Sequence, residues 1–297
     1  MSKEKSSLVI RDNTEKAVSI ISTVVMGIFA LLAIIPCLHV LAKAFSSAES
    51  VTAGLVTFFP IEFQLETVGF VLQKTVFLRS LANTVLVTAV GTLISVLVTI
   101  TTAYPLSKPE LRGRKLILLL YIFSMVFYGG MVPSYMVVKT LGILDTYAAL
   151  ILPFVIVQFN MLIVKNYFEG LPESMEESAK LDGAGYFRIL FSIICPVSMP
   201  VIATVSLLYA VTYWNNYFHA LLYTSSPTMK TLQLFLYDTI YEAETMIEQL
   251  LGASAVNVSI EGIRSAAVVL SIFLIILFYP FVQRFFVQGI TVGSVKG

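Results

Sequence analysis

Long uncharged stretches dominate the chain. Six stretches of about 18 residues or more contain no Asp, Glu, Lys or Arg, and they cover 17–42, 80–107, 116–138, 146–164, 189–229 and 265–283. A helix needs about 20 apolar residues to cross the hydrocarbon core of a bilayer, and a helix satisfies its own backbone hydrogen bonds there. The pattern therefore predicts an all-α membrane protein with six transmembrane helices.

The fifth stretch is too long for one helix and too short for two helices with a loop. Pro196 and Pro200 lie at its start and Pro227 near its end, which favours one helix between them. The first stretch exceeds the apolar region of a signal peptide, so we expect it to be retained as a span. The six predicted spans are 17–44, 79–106, 116–138, 145–168, 196–222 and 263–285.

The basic residues are unevenly distributed between the two sides of these spans. Of the 19 Lys and Arg residues, 13 share the side of the N-terminus, and the other six are Lys43, Lys74, Arg79, Lys139, Lys230 and Arg264. Segments rich in Lys and Arg stay in the cytoplasm. The pattern predicts a multi-pass protein of the bacterial inner membrane with both termini cytoplasmic, as tails over 1–16 and 286–297.

Composition removes several classes of function. Only 12% of residues are charged, against about a quarter in soluble domains, and a net charge of +1 argues against a nucleic-acid partner. The two cysteines and two histidines form neither a disulfide framework nor a metal-binding spacing. The chain also lacks a Gly-x-x-x-x-Gly-Lys-Ser/Thr run. We therefore expect no catalytic residue, no metal and no cofactor in this chain, and no enzymatic activity of its own.

Two segments on the outer side are too long to be simple turns, 45–78 and 223–262. The second carries Tyr and acidic residues at near-helical spacing: Tyr237, Asp238, Tyr241, Glu242, Glu244, Glu248 and, further on, Glu261. This spacing indicates a short amphipathic helix that caps the outer mouth or meets a partner. A solvated helix without a partner fits the pattern equally well.

The inner segment 169–195 reads as two short helices joined by a tight elbow. Leu171-Pro172 followed by acidic residues is typical of a helix start, because proline fits the first turn and carboxylates favour the positive end of the helix dipole. Gly183 can then take the left-handed conformation that ends a helix. A second helix is predicted over 186–194. This segment has too few apolar residues for a core of its own, so it needs a surface to pack against.

The same segment resembles a known family motif. Residues 177–183 read Glu-Ser-Ala-Lys-Leu-Asp-Gly, and Ile-Ile-Cys-Pro follows nine residues later, at 193–196. This run is similar to the EAA loop of ABC-importer permeases, which is Glu-Ala-Ala, three residues, Gly, nine residues and Ile-x-Leu-Pro. The departures are Ser178 and Cys195, both small changes. The Trp-Asn-Asn-Tyr-Phe run at 214–218 and the C-terminal tail resemble the carbohydrate-uptake permeases of the maltose-transporter type.

The resemblance implies a type I ABC-importer permease fold, with a permease core over 79–290. It also implies the partners: a second homologous permease subunit, two ATPase subunits that bind ATP and Mg, and an extracytoplasmic solute-binding protein. In this family the EAA loop is the coupling element that contacts an ATPase. Carried over to this chain, the coupling residues are Glu177, Ser178, Ala179, Leu181, Asp182, Gly183, Ala184 and Gly185.

Polar residues inside the spans are the candidates for a substrate path, because polar groups are costly in lipid and tend to face a cavity or a neighbouring helix. The candidates are Gln158, Asn160, Trp214, Asn215 and Tyr217. Amides and aromatic faces suit sugars, and the lack of charge deep in the spans argues against a strongly charged solute. Helix–helix hydrogen bonding or interfacial anchoring is the alternative role for these residues.

The sequence thus favours a permease subunit that forms half of a pathway for an oligosaccharide or related carbohydrate. An ABC permease for amino acids or peptides, which shares the loop, remains an alternative. An ion-coupled secondary transporter would usually show intramembrane carboxylates or inverted repeats, and neither is evident. A membrane scaffold without transport activity is the third alternative.

Overall fold

The computed structural model describes residues 13–241 and 258–294, with side chains described for 18–241 and 258–277. These residues form helices joined by loops, without a strand. The longer helices are α1 (Asn13–Ala44), α3 (Glu66–Gln73), α4 (Thr75–Ser107), α5 (Arg114–Val126), α6 (Met131–Thr140), α8 (Gln158–Glu169), α9 (Ser174–Leu181), α12 (Met199–Trp214), α14 (Leu232–Tyr241) and α15 (Ile260–Ser294). The shorter ones are α2 (Ala48–Thr52), α7 (Tyr147–Ile151), α10 (Tyr186–Ile189), α11 (Cys195–Val197) and α13 (Phe218–Tyr223).

Some predicted segments fall outside the described residues. They are residues 1–12 of the N-terminal tail, residues 242–257 of the second outer segment, which include Glu242, Glu244 and Glu248, and the last three residues of the chain. The helix predicted in the second outer segment is present as α14, up to Tyr241.

Three helices are long and apolar enough to cross a membrane unbroken, namely α1, α4 and α15. Three helix pairs have the same character but are bent by 115° (α5 with α6), 50° (Tyr147–Phe154 with α8) and 87° (Tyr186–Val197 with α12). Counting each bent pair as one span gives up to six spans, as the sequence predicts. The long helices α1 and α4 match the predicted spans 17–44 and 79–106 within a few residues.

The spans predicted as single helices over 116–138 and 145–168 are both interrupted. Gly130 has a φ of +92° between α5 and α6, a conformation that glycine adopts without a steric penalty. In the next span, Pro153 lies in a 3₁₀ turn, Leu152–Phe154, that separates α7 from α8. Proline lacks the N–H that a continuous helix would use, and its ring clashes with the preceding turn.

The helix predicted over 196–222 is also interrupted, and it ends earlier than expected. A bend at Ser198 precedes α12, and Pro200 occupies its first turn, where a proline is tolerated. The helix ends at Trp214. The Asn216 side-chain oxygen then accepts a hydrogen bond from the backbone N–H of His219 at 3.2 Å. This bond lies at the start of α13, which is a separate helix.

The last helix is longer than predicted at both ends. The sequence predicts a span over 263–285 followed by a tail over 286–297, but α15 runs continuously from Ile260 to Ser294. Gly289 and Gly293 therefore lie within the helix. A single glycine costs only about 1 kcal/mol in a helix, so isolated glycines among apolar residues do not end it.

The chain divides into two compact units. The first comprises the residues up to Val71 together with 254–270, and the second comprises 72–253 and 271–297. In the first unit, α1 exposes a run of large apolar side chains such as Met26 and Phe29, as expected of a helix surrounded by lipid. Near its end, Lys43 forms an ion pair with Glu261 at 2.6 Å.

The second unit is built around α4, which packs against both α8 and α12. Every fourth residue of α4 is buried along one stripe, and the stripe contains the small residues Gly91, Ser95, Thr99 and Ala103. Small residues let two helix backbones approach closely in a membrane. At Gly91 the Tyr213 ring of α12 packs directly against the α4 backbone. A Cβ added at Gly91 would lie only 2.7 Å from Cζ of that ring.

Two buried tyrosines of α12 satisfy the backbone at the break between α7 and α8. The Tyr213 hydroxyl donates to the carbonyl of Ile151 at 3.1 Å, and the Tyr209 hydroxyl accepts from the N–H of Val157 at 3.0 Å. The same hydroxyls also hydrogen-bond to α4, through Ser95 Oγ (2.8 Å) and Thr99 Oγ1 (2.7 Å) respectively. Backbone groups released by a break inside a membrane need such partners.

Asp145 joins the loop before α7 to the loop after α13. Its carboxylate accepts hydrogen bonds from the Ser226 hydroxyl and from the backbone N–H groups of Ser225 and Ser226, the latter two at 2.9 Å. These bonds stabilise the charged form. The Ser226 hydroxyl contributes most and, with the two N–H groups, holds the pKa of Asp145 below its ordinary value.

We expect Gly91→Ala to destabilise the protein, because the new methyl group would meet the Tyr213 ring. Overpacking of this kind typically costs about 1–3 kcal/mol of unfolding free energy. Denaturant unfolding in detergent micelles measures it. Gly69→Ala in α3 is the matched control, since nothing lies within 4 Å of the added Cβ there. Equal stability of the two variants would contradict the packing argument.

We also expect Tyr209→Phe and Tyr213→Phe to destabilise the protein, because each removes the partner of one backbone group at the break in the fourth span. An unpaired buried polar group costs about 1–3 kcal/mol. The same unfolding experiment applies, with Tyr128→Phe as the control on a tyrosine that is 71% exposed. Loss of one hydroxyl without any change in stability would show that the break does not depend on these bonds.

Candidate functional site

The predicted two-helix elbow is present, with the backbone geometry that the sequence indicates. The N–H of Gly183 bonds to the carbonyl of Lys180 at 3.0 Å, and the N–H of Ala184 bonds to the carbonyl of Ala179 at 2.9 Å. Together these two bonds form a Schellman motif at the end of α9. Gly183 has a φ of +77°, so the predicted left-handed conformation is confirmed. The chain then turns into α10 within three residues.

The predicted coupling residues divide into an outward and an inward set. Ala179 is buried and Ala184 is half-buried, and both contact the main apolar core of the second unit. The exposed ones are Glu177, Ser178, Leu181, Asp182, Gly183 and Gly185. The outward set therefore forms one edge of the elbow, and the inward pair attaches it to the helices beneath.

Large apolar side chains are exposed on this elbow. Leu181 is 89% exposed, and Tyr186 and Phe187 at the start of α10 are 69% and 77% exposed. Exposed apolar patches on a protein surface usually mark contact sites for another molecule. Directly after them, Ile189 and Leu190 are buried in the core. The elbow thus presents an apolar surface on a rigid, well-anchored base.

A buried ion pair connects α9 to the end of α4. The Glu176 carboxylate accepts hydrogen bonds from Lys108 Nζ and from the Tyr104 hydroxyl, the latter at 3.3 Å. Glu176 is only 7% exposed. Lys108 Nζ also lies 5.2 Å from the centre of the Tyr104 ring. A carboxylate with so little exposed surface needs such hydrogen-bonding partners.

A second, more exposed set of charges lies beside the first. Arg114, at the start of α5, pairs with Glu169 at the end of α8, and Lys165 pairs with the same carboxylate at 2.7 Å. Arg114 Nε also donates to the carbonyl of Leu106 at 2.8 Å. These bonds attach the loop between α4 and α5 to the end of α8.

The two charge clusters border a cleft of about 850 Å³. Its wall is formed by the end of α4 and the loop that follows it, by the end of α8, and by α9 and α10, including the exposed Glu177, Tyr186 and Phe187. The cleft lies at the predicted coupling segment, and the five predicted substrate-path residues do not line it.

Two of the predicted substrate-path residues, Gln158 and Asn160, lie on α8 and differ from each other in exposure. Gln158 is the first residue of α8, is half-buried, and donates from Nε2 to Ser124 Oγ at 3.3 Å. Asn160 is only 4% exposed.

The other three candidates lie where α12 ends. Trp214 is the last residue of α12 and half-buried, and its indole nitrogen has no hydrogen-bond partner among the described residues. Asn215 is exposed. Tyr217 is 39% exposed and stacks on Tyr237 of α14, with ring centroids 5.4 Å apart, and Tyr237 in turn contacts Tyr241 at 4.7 Å.

Sequence reasoning missed the residues that hold the elbow in place. Glu176 counted only as one of the acidic residues after Leu171-Pro172, and Lys108 only as one of the 13 basic residues on the side of the N-terminus. Tyr104 was not singled out. A weak signal exists, since Glu176 falls on the same helix face as the buried Ala179, where a charged residue requires a partner. The identity of that partner, 68 residues earlier in the chain, is not visible in the sequence.

Within the described part of the chain, no group of three or more His, Cys, Asp or Glu side chains is arranged to hold a metal ion. Near the elbow, Glu176 pairs with Lys108, and Glu169 pairs with Arg114 and Lys165. Their arrangement suits a mechanical connection between helices.

The chain is similar to proteins of known class. It is 42% identical over 273 residues to Protein LplC of Bacillus subtilis (strain 168), covering 92% of each. It is 39% identical to the polygalacturonan/rhamnogalacturonan transport system permease protein YtcP of the same organism, covering 91% of this chain and 94% of the relative. Among solved structures, it resembles a chain of a bacterial ABC transporter involved in the import of the acidic polysaccharide alginate. The TM-score is 0.85 at 34% identity, covering 93% of this chain and 98% of that one.

The family model of the binding-protein-dependent transport system inner membrane component matches residues 14–292, nearly the whole chain. Members of this family are membrane permeases, so the expectation of a multi-pass transport subunit without catalytic activity is confirmed. With its helical fold, its bent apolar spans and its exposed elbow, the chain belongs to the family of binding-protein-dependent transport system inner membrane components.

Proposed function

We propose that this chain forms half of the translocation pathway of an ATP-driven importer for an oligosaccharide or related carbohydrate. The other half is a second, homologous permease. Two cytoplasmic ATPase subunits bind ATP and Mg and supply the energy, and an extracytoplasmic solute-binding protein delivers the solute. The observation that carries the proposal is the rigid elbow between α9 and α10, which exposes Leu181, Tyr186 and Phe187 on an anchored base.

The elbow is suited to transmit movement from an ATPase. A Schellman motif fixes the angle between α9 and α10, and buried residues on both sides attach the elbow to the core. When ATP binding closes the ATPase pair, an elbow held in its surface moves as a rigid body. The helices attached to it then change the side on which the cavity opens, as in other transitions by rigid-body rotation. ATP shifts this equilibrium only through contacts that differ between the two states.

The basic residues support placing the elbow in the cytoplasm. Lys108 and Arg112 lie in the short loop beside it and Arg114 and Lys115 start α5, and short basic segments remain on the cytoplasmic side. This orientation puts both chain termini in the cytoplasm. It also puts α14 and the end of α12 on the outer side, the side from which the solute arrives.

Two of the relatives support a carbohydrate as the solute, since one is named for polygalacturonan and rhamnogalacturonan and another for alginate. The alginate importer handles an acidic polysaccharide, so the absence of charge deep in the spans of this chain does not restrict the solute to neutral sugars. Sugar hydroxyl groups can hydrogen-bond to Asn215, and ring C–H groups can pack on Tyr217. The amino-acid and peptide alternative has no comparable support. Family membership argues against an ion-coupled secondary transporter and a scaffold.

We expect Gly183→Val and Asp182→Lys to uncouple ATP hydrolysis from uptake while leaving membrane insertion intact. A side chain at φ +77° strains the elbow by about 1–2 kcal/mol, and a lysine reverses the charge of its exposed edge. Liposomes that contain the full complex allow uptake and ATP hydrolysis to be measured together. Gly142→Val is the matched control, because Gly142 has a φ of +68° and equally open surroundings in the loop after α6. Normal uptake per ATP in both elbow variants would refute the coupling role.

We expect Tyr217→Ala to weaken uptake, because it removes an exposed ring at the outer end of α12. Aromatic contacts contribute about 0.5–1.5 kcal/mol, which corresponds to roughly a two- to tenfold higher half-saturating solute concentration. The conservative variant Tyr217→Phe should retain most of the affinity. Initial uptake rates at varied solute concentration provide the measurement. Identical curves for Tyr217→Ala and the unchanged chain would assign this ring to helix packing against Tyr237 instead.

A further inference from the structure

The elbow is joined along the chain to α8 and, through the bend at Ser198, to α12. It has no chain connection of its own to α4, although α4 packs along both of those helices. The Glu176 side chain supplies a contact between the elbow and α4. Its carboxylate is bound by Lys108, the residue after α4, and by the hydroxyl of Tyr104 in the last turn of α4.

The surroundings of Glu176 make this contact strong. Helix α9 is eight residues long, and Glu176 and Ala179 are its buried residues. The alanine methyl group makes only apolar contacts. A charge-assisted hydrogen bond from a lysine is roughly twice as strong as a neutral one, so Glu176 holds α9 close to the end of α4. Removing one partner of a buried ion pair leaves the other charge uncompensated, which proteins tolerate poorly.

The neighbouring charges differ from Glu176 in exposure and in what they join. The Glu169 side chain is 30% exposed, and it joins Arg114 of α5 to Lys165 of its own helix α8. The Glu176 side chain, at 9% exposed, is the one that holds α9 itself.

We propose that Glu176, bound by Lys108 and Tyr104, is a positioning residue that transmits the movement of α9 directly to α4. This inference rests on the proposed function, since it requires that the elbow is moved by an ATPase. With the link in place, α4 moves together with α8 and α12 as one body. Without it, the elbow shifts against the end of α4 and part of its displacement is lost before it reaches that helix.

The experiment uses the complete importer in liposomes and measures ATP-driven uptake and ATP hydrolysis in the same sample. Glu176→Gln should lower the amount of solute imported per ATP by about tenfold, within the range of coupling between distant sites, while hydrolysis continues. Lys108→Met should have the same effect. The exchange of both residues, Lys108→Glu with Glu176→Lys, should restore part of the ratio.

Asp238→Asn provides the matched control. Asp238 is a carboxylate of similar burial, 3% exposed, paired with Lys230 at 2.6 Å in α14, at the other end of the second unit. It should leave the ratio of uptake to hydrolysis unchanged. A purely structural role for Glu176 would instead reduce the amount of assembled complex and lower uptake and hydrolysis in parallel.

An assembled Glu176→Gln complex with a normal ratio would overturn the inference. If that variant does not assemble, Lys108→Met decides, because Lys108 lies in a loop and its side chain is 27% exposed. A normal ratio in Lys108→Met would then overturn the inference. Gly183→Val separates the two levels of the account. If Gly183→Val uncouples the importer but the Glu176 and Lys108 variants do not, only the proposed link to α4 is wrong. Normal coupling in all variants would contradict the proposed function as well.

Discussion

The need to satisfy backbone hydrogen bonds inside a bilayer constrains this structure more than any other factor. Three of its apolar spans are bent or broken, and each break releases N–H and C=O groups where water is absent. At the break between α7 and α8, the hydroxyls of Tyr209 and Tyr213 take over two of these groups and bind to α4 as well. Gly91 of α4 makes room for the Tyr213 ring. The break is therefore locked in one geometry rather than left loose.

This locking explains how a bundle of interrupted helices can transmit movement. A helix that bends at an unsatisfied break would absorb displacement. Here α4, α8 and α12 are joined by hydroxyl bonds near the middle of α4 and, at its end, by the Glu176 ion pair through α9. The elbow adds a fixed angle, set by a left-handed glycine and two backbone bonds. The mechanism proposed here requires a rigid lever at the membrane surface and a core that follows it, and both features arise from local hydrogen bonding.

The sequence predicts features that depend on neighbours along the chain. The elbow is one of them, because its cap involves residues within one helical turn and requires a glycine at position 183. The uncharged stretches likewise locate the six spans. The breaks are harder to predict, since proline and glycine are tolerated inside transmembrane helices and Pro153 alone does not distinguish a kink from a break. The separation of α13 from α12 is equally hard to predict, since it involves a side-chain bond from Asn216 to the backbone N–H of His219.

Contacts between distant residues were beyond the sequence argument. The pairing of Glu176 with Lys108 and the fit of Tyr213 against Gly91 depend on how the helices pack, and the substrate-path residues remain predictions. The central claim is that the elbow is the surface held by an ATPase. Labelling of Leu181→Cys with a membrane-impermeant maleimide, in a chain whose Cys37 and Cys195 are replaced, tests it most directly in open membrane fragments. The account predicts rapid labelling of the permease pair alone and strong protection in the complete importer. Equal labelling in both would contradict it.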